Sequence, residues 1–417
     1  MLFQSLLKHM IREGTLRLQT ANGRVYAYGN GLPPRSAIKL HRRSLEWTLA
    51  LQPDLKVAEA YIDGLLTIEE GGLRDFLHVI FLNMPRLQHH PLVHWLDRLV
   101  YHTRRLKQFN PIPRARRNVA FHYDLSTQLY DLFLDADRQY SCGYFTTPLA
   151  GLEQAQHDKK RHIAAKLYLN QPGLRVLDIG SGWGGLGLYL AREAFCNVTG
   201  VTLGVEQHKL SQQRVQAAGL GKVCRFELRD YRKEKGPYDR IVSVGMFEHV
   251  GKKNYDEFFM HIRRLLTNDG VCLLHSIGRF GEGMAINPFM RKHIFPGADI
   301  PSLSEVLQAV ERSGLYVTDI EILRLHYAKT LKHWNKRFQT RRCEAARIYD
   351  ESFCRKWEFY LIGCEMSFRA GILMVFQIQL TKKLGTLPLT RQYMRDWDEQ
   401  TKKIPDPLVS QVRAMAI

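Results

Sequence analysis

The chain has 417 residues, too many for one small domain and suited to two, one of them large. Apolar residues make up 45% and charged residues 24%, which predicts a packed core; no run of 18 apolar residues occurs, which excludes a transmembrane helix. A formal charge of +19 serves solubility or draws an anionic partner, and it does not separate nucleic acid from lipid headgroups.

The opening residues, MLFQSLLKHMIREG, mix apolar positions with Lys8, His9 and Arg12 and lack the apolar region and small-residue cleavage site of a secretory signal, so a cytoplasmic protein is expected. Cys142, Cys196, Cys224, Cys272, Cys343, Cys354 and Cys364 show no CxxC spacing. Reduced thiols are expected, with neither a disulfide framework nor a zinc or other metal site. Thr15 to Thr20, the turn Asn22-Gly23 and Arg24 to Tyr28 alternate as a β-hairpin, and Ala37 to Leu40 reads as a further strand. From Leu45 to Leu99 helical spacing dominates, with Leu45, Leu49, Leu51, Val57, Ala60, Tyr61 and Ile62 as core positions. Residues 1–110 therefore predict a small α+β unit, ending at Asn110-Pro111-Ile112-Pro113, where two prolines disfavour helix. Just before and across that boundary, Arg98 to Arg117 holds seven cations and no acid, interleaved with Leu99, Val100, Tyr101, Leu106 and Phe109. Such a basic amphipathic stretch suits a membrane surface or a solvated interdomain helix.

Residues 111–417 form the larger unit. Phe121 to Ser126, Leu129 to Asp135 and Gln139 to Phe145 are dense in polar and aromatic residues, as expected of a segment that closes over a ligand. In LRVLDIGSGWGGL, Leu174 to Leu186, the strand Val176 to Ile179 runs into Gly180-Ser181-Gly182-Trp183-Gly184-Gly185 and a helix start. Glycine is required where a Cβ would hold a ligand off the backbone or forbid positive φ. Strands at Asn197 to Thr202, Val223 to Leu228, Tyr238 to Val244 and Val271 to Ile277 alternate with helices, one from Val205 and one ending near Asn268-Asp269-Gly270, the pattern of a doubly wound, mostly parallel α/β sheet. Ser302 with Glu305 forms a capping box for a helix that Gly314 stops. Strands at Val317 to Leu323 and Leu373 to Leu380 bracket a long helical insertion.

In an open parallel sheet the ligand lies beyond the carboxyl ends of the strands. That gathers Asp178 and Gly180, Thr202, Asp230 and Tyr231, Met246 to His249, and His275 to Ile277. The loop Gly180-x-Gly182-x-Gly184 is not a dinucleotide fingerprint, Thr202 holds the position of the ribose acid, and no Walker lysine is present; a nucleoside ligand without phosphates is favoured.

At these positions VLDIGSGWGG, GVTLGVEQ, DRIVSVGMFEHVGKKNYDEFF, LLHSIGR, IFPGADIPS, HYAKTLKHW and YLIGCEMSFRAG resemble the cyclopropane-fatty-acyl-phospholipid synthases, allied to the mycolic acid cyclopropane synthases. The resemblance runs from about His122 to Leu380 and extends weakly through Ala58 to Gly64. It implies a class I S-adenosylmethionine-dependent methyltransferase-like, Rossmann-type fold. The implied reaction transfers a methylene from S-adenosylmethionine to the cis double bond of a phospholipid acyl chain, with bound bicarbonate as base. The resemblance assigns the bicarbonate to Cys142, Glu248, His275, Tyr327 and the backbone of Ile277. Cys364 stands where the family has a cysteine sometimes credited with catalysis, although this chemistry needs no nucleophile. For the cofactor it implies Tyr140 and Ser141 over the methionine end, Asp178, Gly180 and Gly182 at the loop, Thr202, Leu203 and Gln207 at the ribose, and Asp230 with Tyr231 near the adenine. Ser181 and Gly143 depart from the residues common at those places. Positive charge developing on the chain would be stabilised by aromatic faces, about 0.5–2 kcal/mol each, from Tyr140, Tyr144, Phe145, Phe247 and Tyr327.

The implied partner is an anionic phospholipid bilayer rather than nucleic acid, with residues 1–110 as a docking domain and the protein cytoplasmic but peripheral to the inner face of the membrane. A homodimer stays open. An alternative keeps the fold and cofactor but yields a methyl-branched chain or acts on another lipid. A non-catalytic lipid-binding protein is disfavoured by the intact Glu248, His275 and Tyr327.

Overall fold

The computed structural model describes residues 2–88 and 127–401. The Arg98 to Arg117 stretch, the Asn110 to Pro113 boundary and Phe121 to Ser126 lie outside the described residues. The chain divides into two compact units, but not at one point: 284–296 and 331–373 group with the first unit, while 127–283, 297–330 and 374–401 make up the second.

The first unit begins with α1 (Leu2–Met10), β1 (Thr15–Gln19), β2 (Val25–Gly29), β3 (Arg35–Leu40), α2 (Leu45–Leu51), α3 (Pro53–Ile62), β4 (Leu66–Glu70) and α4 (Leu73–Gln88). The hairpin β1–β2 is antiparallel, and Gly23 takes φ +83° at its turn, where asparagine-glycine favours the left-handed region. The sheet order is β2-β1-β3-β4, with β1 and β3 parallel and β4 antiparallel to β3. Strand β4 interrupts the stretch 45–99 where helical spacing dominates: Leu66-Thr67-Ile68 follows the Asp63-Gly64 turn and completes the sheet by pairing with Leu40 and Ile38. Leu16, Leu18, Ile38, Leu40 and Leu66 bury one face of the sheet with Phe3, Leu7, Leu49 and Phe76.

The late segment joins this unit because its polar groups find partners there. On the helix Glu351–Arg369, the fully buried Glu365 receives both guanidinium nitrogens of Arg74, each at 2.5 Å, and Glu358 accepts from the Tyr61 hydroxyl at 3.0 Å. Ile362 and Met366 of the same helix enter the apolar core.

The second unit contains α5 (Thr127–Asp131), α6 (Leu152–Lys166), β5 (Arg175–Ile179), α7 (Gly185–Glu193), β6 (Asn197–Thr202), α8 (Val205–Ala217), β7 (Cys224–Leu228), β8 (Tyr238–Val244), α9 (Tyr255–Leu265), β9 (Leu266–Arg279), α10 (Leu303–Ser313) and β10 (Tyr316–Ile322). The start of α11 (His326–Thr340), then β11 (Leu373–Thr381) and α14 (Gln392–Thr401), complete it, with α12 (Arg342–Ile348) and α13 (Glu351–Arg369) falling in the first unit. The seven-stranded sheet has the order β10-β11-β9-β8-β5-β6-β7. Strands β9, β8, β5, β6 and β7 run parallel, and β10 lies antiparallel to β11. Alternate residues serve opposite faces, as the two-residue period requires. Val176, Val242 and Leu273 pack with Leu190 of α7 and Val215 of α8, whereas Leu177, Ile241 and Leu274 pack with Phe258 and Ile262 of α9 and Val306 of α10.

Two boundaries differ from expectation. Strand β9 starts at Leu266 rather than Val271, because Leu266 pairs with Tyr238 before Thr267 to Gly270 bulge out and pairing resumes at Val271 with Arg240. Helix α6 carries eleven buried residues, five of them charged, so its polarity concealed it. All seven cysteines are free thiols. Among the described residues no helix is long and apolar enough to cross a membrane.

Candidate active site

The sheet's connections run outward from β5 in one direction and from β8 in the other. The loops after these two neighbours therefore part, leaving a crevice at the switch point. After β5, Gly180 and Ser181 both donate their N–H to Val201 O, at 2.9 and 3.1 Å, which pins the glycine loop to β6. Gly180 has φ +80°, and a Cβ there would stand 2.8 Å from that of Met246. Gly182 has φ +54° and nothing within 4 Å of where its Cβ would be, so it borders open space. After β6, the Thr202 hydroxyl donates to Gln207 Oε1 at 2.9 Å and orients that side chain. After β7, Asp230 accepts from Arg232 through Nε, Nη2 and the backbone N–H, at 2.8, 2.7 and 3.0 Å.

All ten residues expected at the cofactor line this one cleft: Tyr140, Ser141, Asp178, Gly180, Gly182, Thr202, Leu203, Gln207, Asp230 and Tyr231. Met246, His249, Trp183 and Glu257 line it as well. A further member, Lys159 on α6, was missed in the sequence. It is 1% exposed and donates to Gln139 Oε1 at 2.6 Å and to Ser141 Oγ at 2.7 Å, while burial brings its ammonium down to about 8. The signal was present: Leu152, Gln156, Lys159, Ile163 and Leu167 form one helical stripe, and a lysine on a core-facing stripe needs a buried partner. Gln156 adds N–H bonds to the carbonyls of Gln139 and Ser141, at 3.1 and 2.9 Å, so α6 fixes the segment that borders the cleft.

None of the five residues expected at the base, nor Cys364, is among those lining the cleft. Glu248, in the turn after β8, accepts the Ile277 N–H through Oε1 at 2.6 Å, while its buried Oε2 has no partner among the described residues. The Ile277 amide is therefore engaged by Glu248. Burial raises the Glu248 carboxyl to about 7, against the lowering effect of that N–H. His275 is 2% exposed, and its Nδ1 accepts from Gln377 Nε2 at 3.1 Å, which leaves the proton on Nε2. Burial, aided by the charges of Lys159 and Lys166, lowers the ring to about 3 and keeps it neutral. Cys142 is fully buried, with its thiol pushed well above the usual range by burial. The next amide, Gly143 N–H, donates to Thr330 Oγ1 at 3.0 Å, on the helix whose first turn carries Tyr327. Cys364 lies on α13 in the first unit, half-buried, with burial pushing its thiol up to about 12.

The aromatic candidates separate. Tyr140 lines the cleft, edge-on to Tyr130 at 5.4 Å. Phe247 is a core residue instead: it is fully buried and stacks on Tyr255 at 4.5 Å, with Phe258 and Phe259 around it. Tyr144 stacks on His162 at 4.0 Å and His326 at 4.9 Å, and Lys329 sits 4.2 Å over the Phe145 ring.

A parallel sheet with an acid-tipped glycine loop at its switch point, and no phosphate-binding lysine in that loop, is the architecture of a class I S-adenosylmethionine-dependent methyltransferase. A crystal structure of a mycolic acid cyclopropane synthase complexed with SAH and CTAB has the same architecture, at 35% identity and a TM-score of 0.61 over 65% of this chain and 99% of that one. The chain belongs to the mycolic acid cyclopropane synthetase family, whose sequence model matches residues 112–378. It is 37% identical over 330 residues to the cyclopropane-fatty-acyl-phospholipid synthase of Escherichia coli K12, covering 79% of this chain and 83% of that protein. It is 41% identical over 288 residues to a probable fatty acid methyltransferase of Pseudomonas putida, covering 66% and 73%.

Proposed function

We propose that the chain adds a methylene across the cis double bond of an unsaturated phospholipid acyl chain, forming a cyclopropane ring. The observation that carries this reading is the pairing of two features: a cleft lined by all ten cofactor candidates and, two residues after the cleft-lining Met246, the buried Glu248, whose Oε1 takes the Ile277 N–H and whose Oε2 has no partner among the described residues. S-adenosylmethionine fits the cleft on the evidence of the open space at Gly182 and the unpartnered Asp178, and when bound it supplies a sulfonium methyl to the alkene. Bicarbonate would be held at the second site by donors, the Glu248 carboxyl when protonated and His275 Nε2, and when bound it would supply a base for the proton whose loss closes the ring.

The chain's own residues supply what that chemistry needs around it. Glu248, near 7, is partly protonated at neutral pH and can donate from its carboxyl to an anion, and neutral His275 can donate from Nε2. Cys142 and Tyr327 are the further residues that the family resemblance brings to the base, whereas the Ile277 amide is already given to Glu248. Tyr140 offers a ring at the cleft, where it stabilises positive charge without adding a nucleophile. The thiols of buried Cys142 and half-buried Cys364 stay protonated, which supports a route without a covalent enzyme intermediate.

The likeness to a probable fatty acid methyltransferase supports a second reading, methyl transfer to a fatty acyl chain without ring closure, which would give a saturated branch only with a separate hydride donor. Mass spectrometry of acyl chains from cells expressing the protein separates the two, because ring formation adds one CH2 and a saturated methyl branch adds CH2 and two further hydrogens. Chains carrying only the second increment would reject ring formation. Glu248→Gln is expected to lower turnover at least about tenfold with near-normal cofactor affinity, the ordinary range for losing a group in acid–base catalysis being larger. Full activity in that variant, or in carbonate-depleted buffer, removes bicarbonate from the reaction.

A further inference from the structure

Strand β11 is buried from Met374 onward, yet it carries two glutamines, Gln377 and Gln379, 0% and 1% exposed. Phe376, Ile378 and Leu380 fill the apolar core on one face, so the two-residue period puts both amides on the other. Gln379 is satisfied at both ends. Its Oε1 accepts from the Thr318 hydroxyl at 3.0 Å, and its Nε2 donates to the Lys166 carbonyl and, at 2.8 Å, to the Tyr393 hydroxyl. That amide is structural and ties β11 to β10, α6 and α14. Gln377 differs: its Nε2 donates to His275 Nδ1 at 3.1 Å, on the neighbouring β9, and its buried Oε1 has no hydrogen-bond partner among the described residues.

A buried amide satisfied at one end only is worse for stability than an apolar side chain of similar size, so packing does not account for a glutamine here. The bond it does make has a chemical consequence. A neutral imidazole has one N–H and one bare nitrogen, and the nitrogen that meets an amide N–H must be the bare one. The charges acting on the ring are Lys159, Lys166 and His162 of α6, which disfavour an imidazolium, and Glu321 of β10, which favours it; burial outweighs each of them and keeps the ring neutral.

We propose that Gln377 is a positioning residue for ring closure: by donating to Nδ1 it keeps the His275 proton on Nε2, so that the imidazole serves a bound anion as a hydrogen-bond donor and never acts as the base itself. The inference rests on the base site proposed above and adds what sets the direction of its imidazole. It also divides the two glutamines of β11 by task, Gln379 holding neighbouring elements together and Gln377 holding a proton in place.

The competing account makes Gln377 only a packing residue between β11 and β9. Two measurements on the full chain separate them. Ring nitrogen-15 spectra of the histidine-labelled native chain, with His275→Asn identifying the signals, are expected to show a bare Nδ1 and a protonated Nε2 from about pH 6 to about pH 9. A proton on Nδ1 instead overturns the proposal, whether or not any variant folds. The second measurement uses Gln377→Glu, which keeps the shape of the side chain and turns its donor into an acceptor. While the carboxyl and Nδ1 share a proton, Nε2 keeps its own; as pH rises one proton leaves, the carboxylate holds Nδ1–H and Nε2 is bared, so the loss falls on the high-pH side. The ratio of variant to native turnover, in which the titration common to both at Glu248 cancels, is expected to fall about 10- to 100-fold between about pH 6 and about pH 9, with S-adenosylhomocysteine affinity within about threefold throughout. A ratio that is the same at every pH establishes packing alone and overturns the positioning role. Native turnover in His275→Asn overturns the reading of the base site and this inference with it, and that result is told apart because the native spectrum would still show the Nε2 proton.

Discussion

Asp178 and Glu248 are carboxylates held where charge is expensive. Burial raises Asp178 from 3.8 to about 7, although Lys159 pulls it down, and raises Glu248 from 4.5 to about 7. In each case the folded chain keeps its proton to a higher pH than the unfolded chain. Between about pH 4 and 7 the native state thus binds more protons, and stability falls as pH rises through that window. For Asp178 alone the ceiling is about 4 kcal/mol at pH 8, from three pKa units of 1.36 kcal/mol each. Asp178→Asn should therefore melt higher than the parent in ligand-free buffer at pH 8, with the gain shrinking by about half at pH 5. A gain independent of pH would mean that charge burial is not its source. Gly182 makes the opposite kind of prediction. Its positive φ strains any residue with a Cβ, and a side chain there would occupy the open cleft, so Gly182→Val should abolish cofactor binding by strain and by filling the cleft, with the far-ultraviolet circular dichroism unchanged. Unaltered affinity in calorimetry would place the ligand elsewhere.

At the level of elements, legibility followed how local the signal was. Helix α10 was readable at both ends: Ser302 and Glu305 make the reciprocal capping box, and Gly314 ends the helix at φ +73°. Ser302→Ala is accordingly expected to cost about 1 kcal/mol in urea denaturation, with the slope unchanged. A loss under a few tenths would show that the cap is redundant with the packing of Val306 and Val310. The hairpin and the strands β6 and β8 were equally plain, since turn chemistry and apolar runs lie within a few residues of one another. Strand β4 was not, because five residues between two helices carry too little alternation, and only the pairing with β3 makes them a strand. The same limit hid α6. Its buried Lys159, Lys160 and Lys166 interrupt the apolar pattern, and their acceptors, Gln139, Asp137 and Glu321, come from elsewhere in the chain. The candidate site divides likewise. Strand-end positions follow from topology, whereas Lys159 depends on a long-range contact, and Phe247, expected as an aromatic face toward the ligand, belongs to the core.

On the scale of the whole molecule, the question is how a chain without a described membrane-spanning helix would reach an acyl chain in a bilayer. Net charge of +19 offers one route, an anionic lipid surface. The densest cations, Arg104, Arg105, Arg116 and Arg117 within the Arg98 to Arg117 stretch, lie outside the described residues, so the argument for them is charge alone. The first unit adds an apolar element: Trp47 and Leu51, one turn apart on α2, are 59% and 75% exposed and follow the exposed Arg42 and Arg43. Tryptophan beside arginine is the composition that settles at a headgroup boundary. Each cation near such a surface contributes about 1 kcal/mol, screened over roughly 10 Å at 0.1 M salt. Changing the four arginines to Ser should then weaken binding to anionic vesicles by at least about tenfold at low salt and flatten its salt dependence. Trp47→Ser with Leu51→Ser should weaken it with the salt dependence preserved, since that loss is apolar. Cofactor affinity should stay at the native value in the Trp47 and Leu51 variant, since neither residue lines the cleft, and the same measurement on the arginine variant checks that only lipid binding has changed. Sedimentation with vesicles of neutral and anionic lipid reads all of this directly. Native-like binding and salt slope in the arginine variant would leave that stretch a solvated linker, and a loss confined to the Trp47 variant would move the docking surface onto α2.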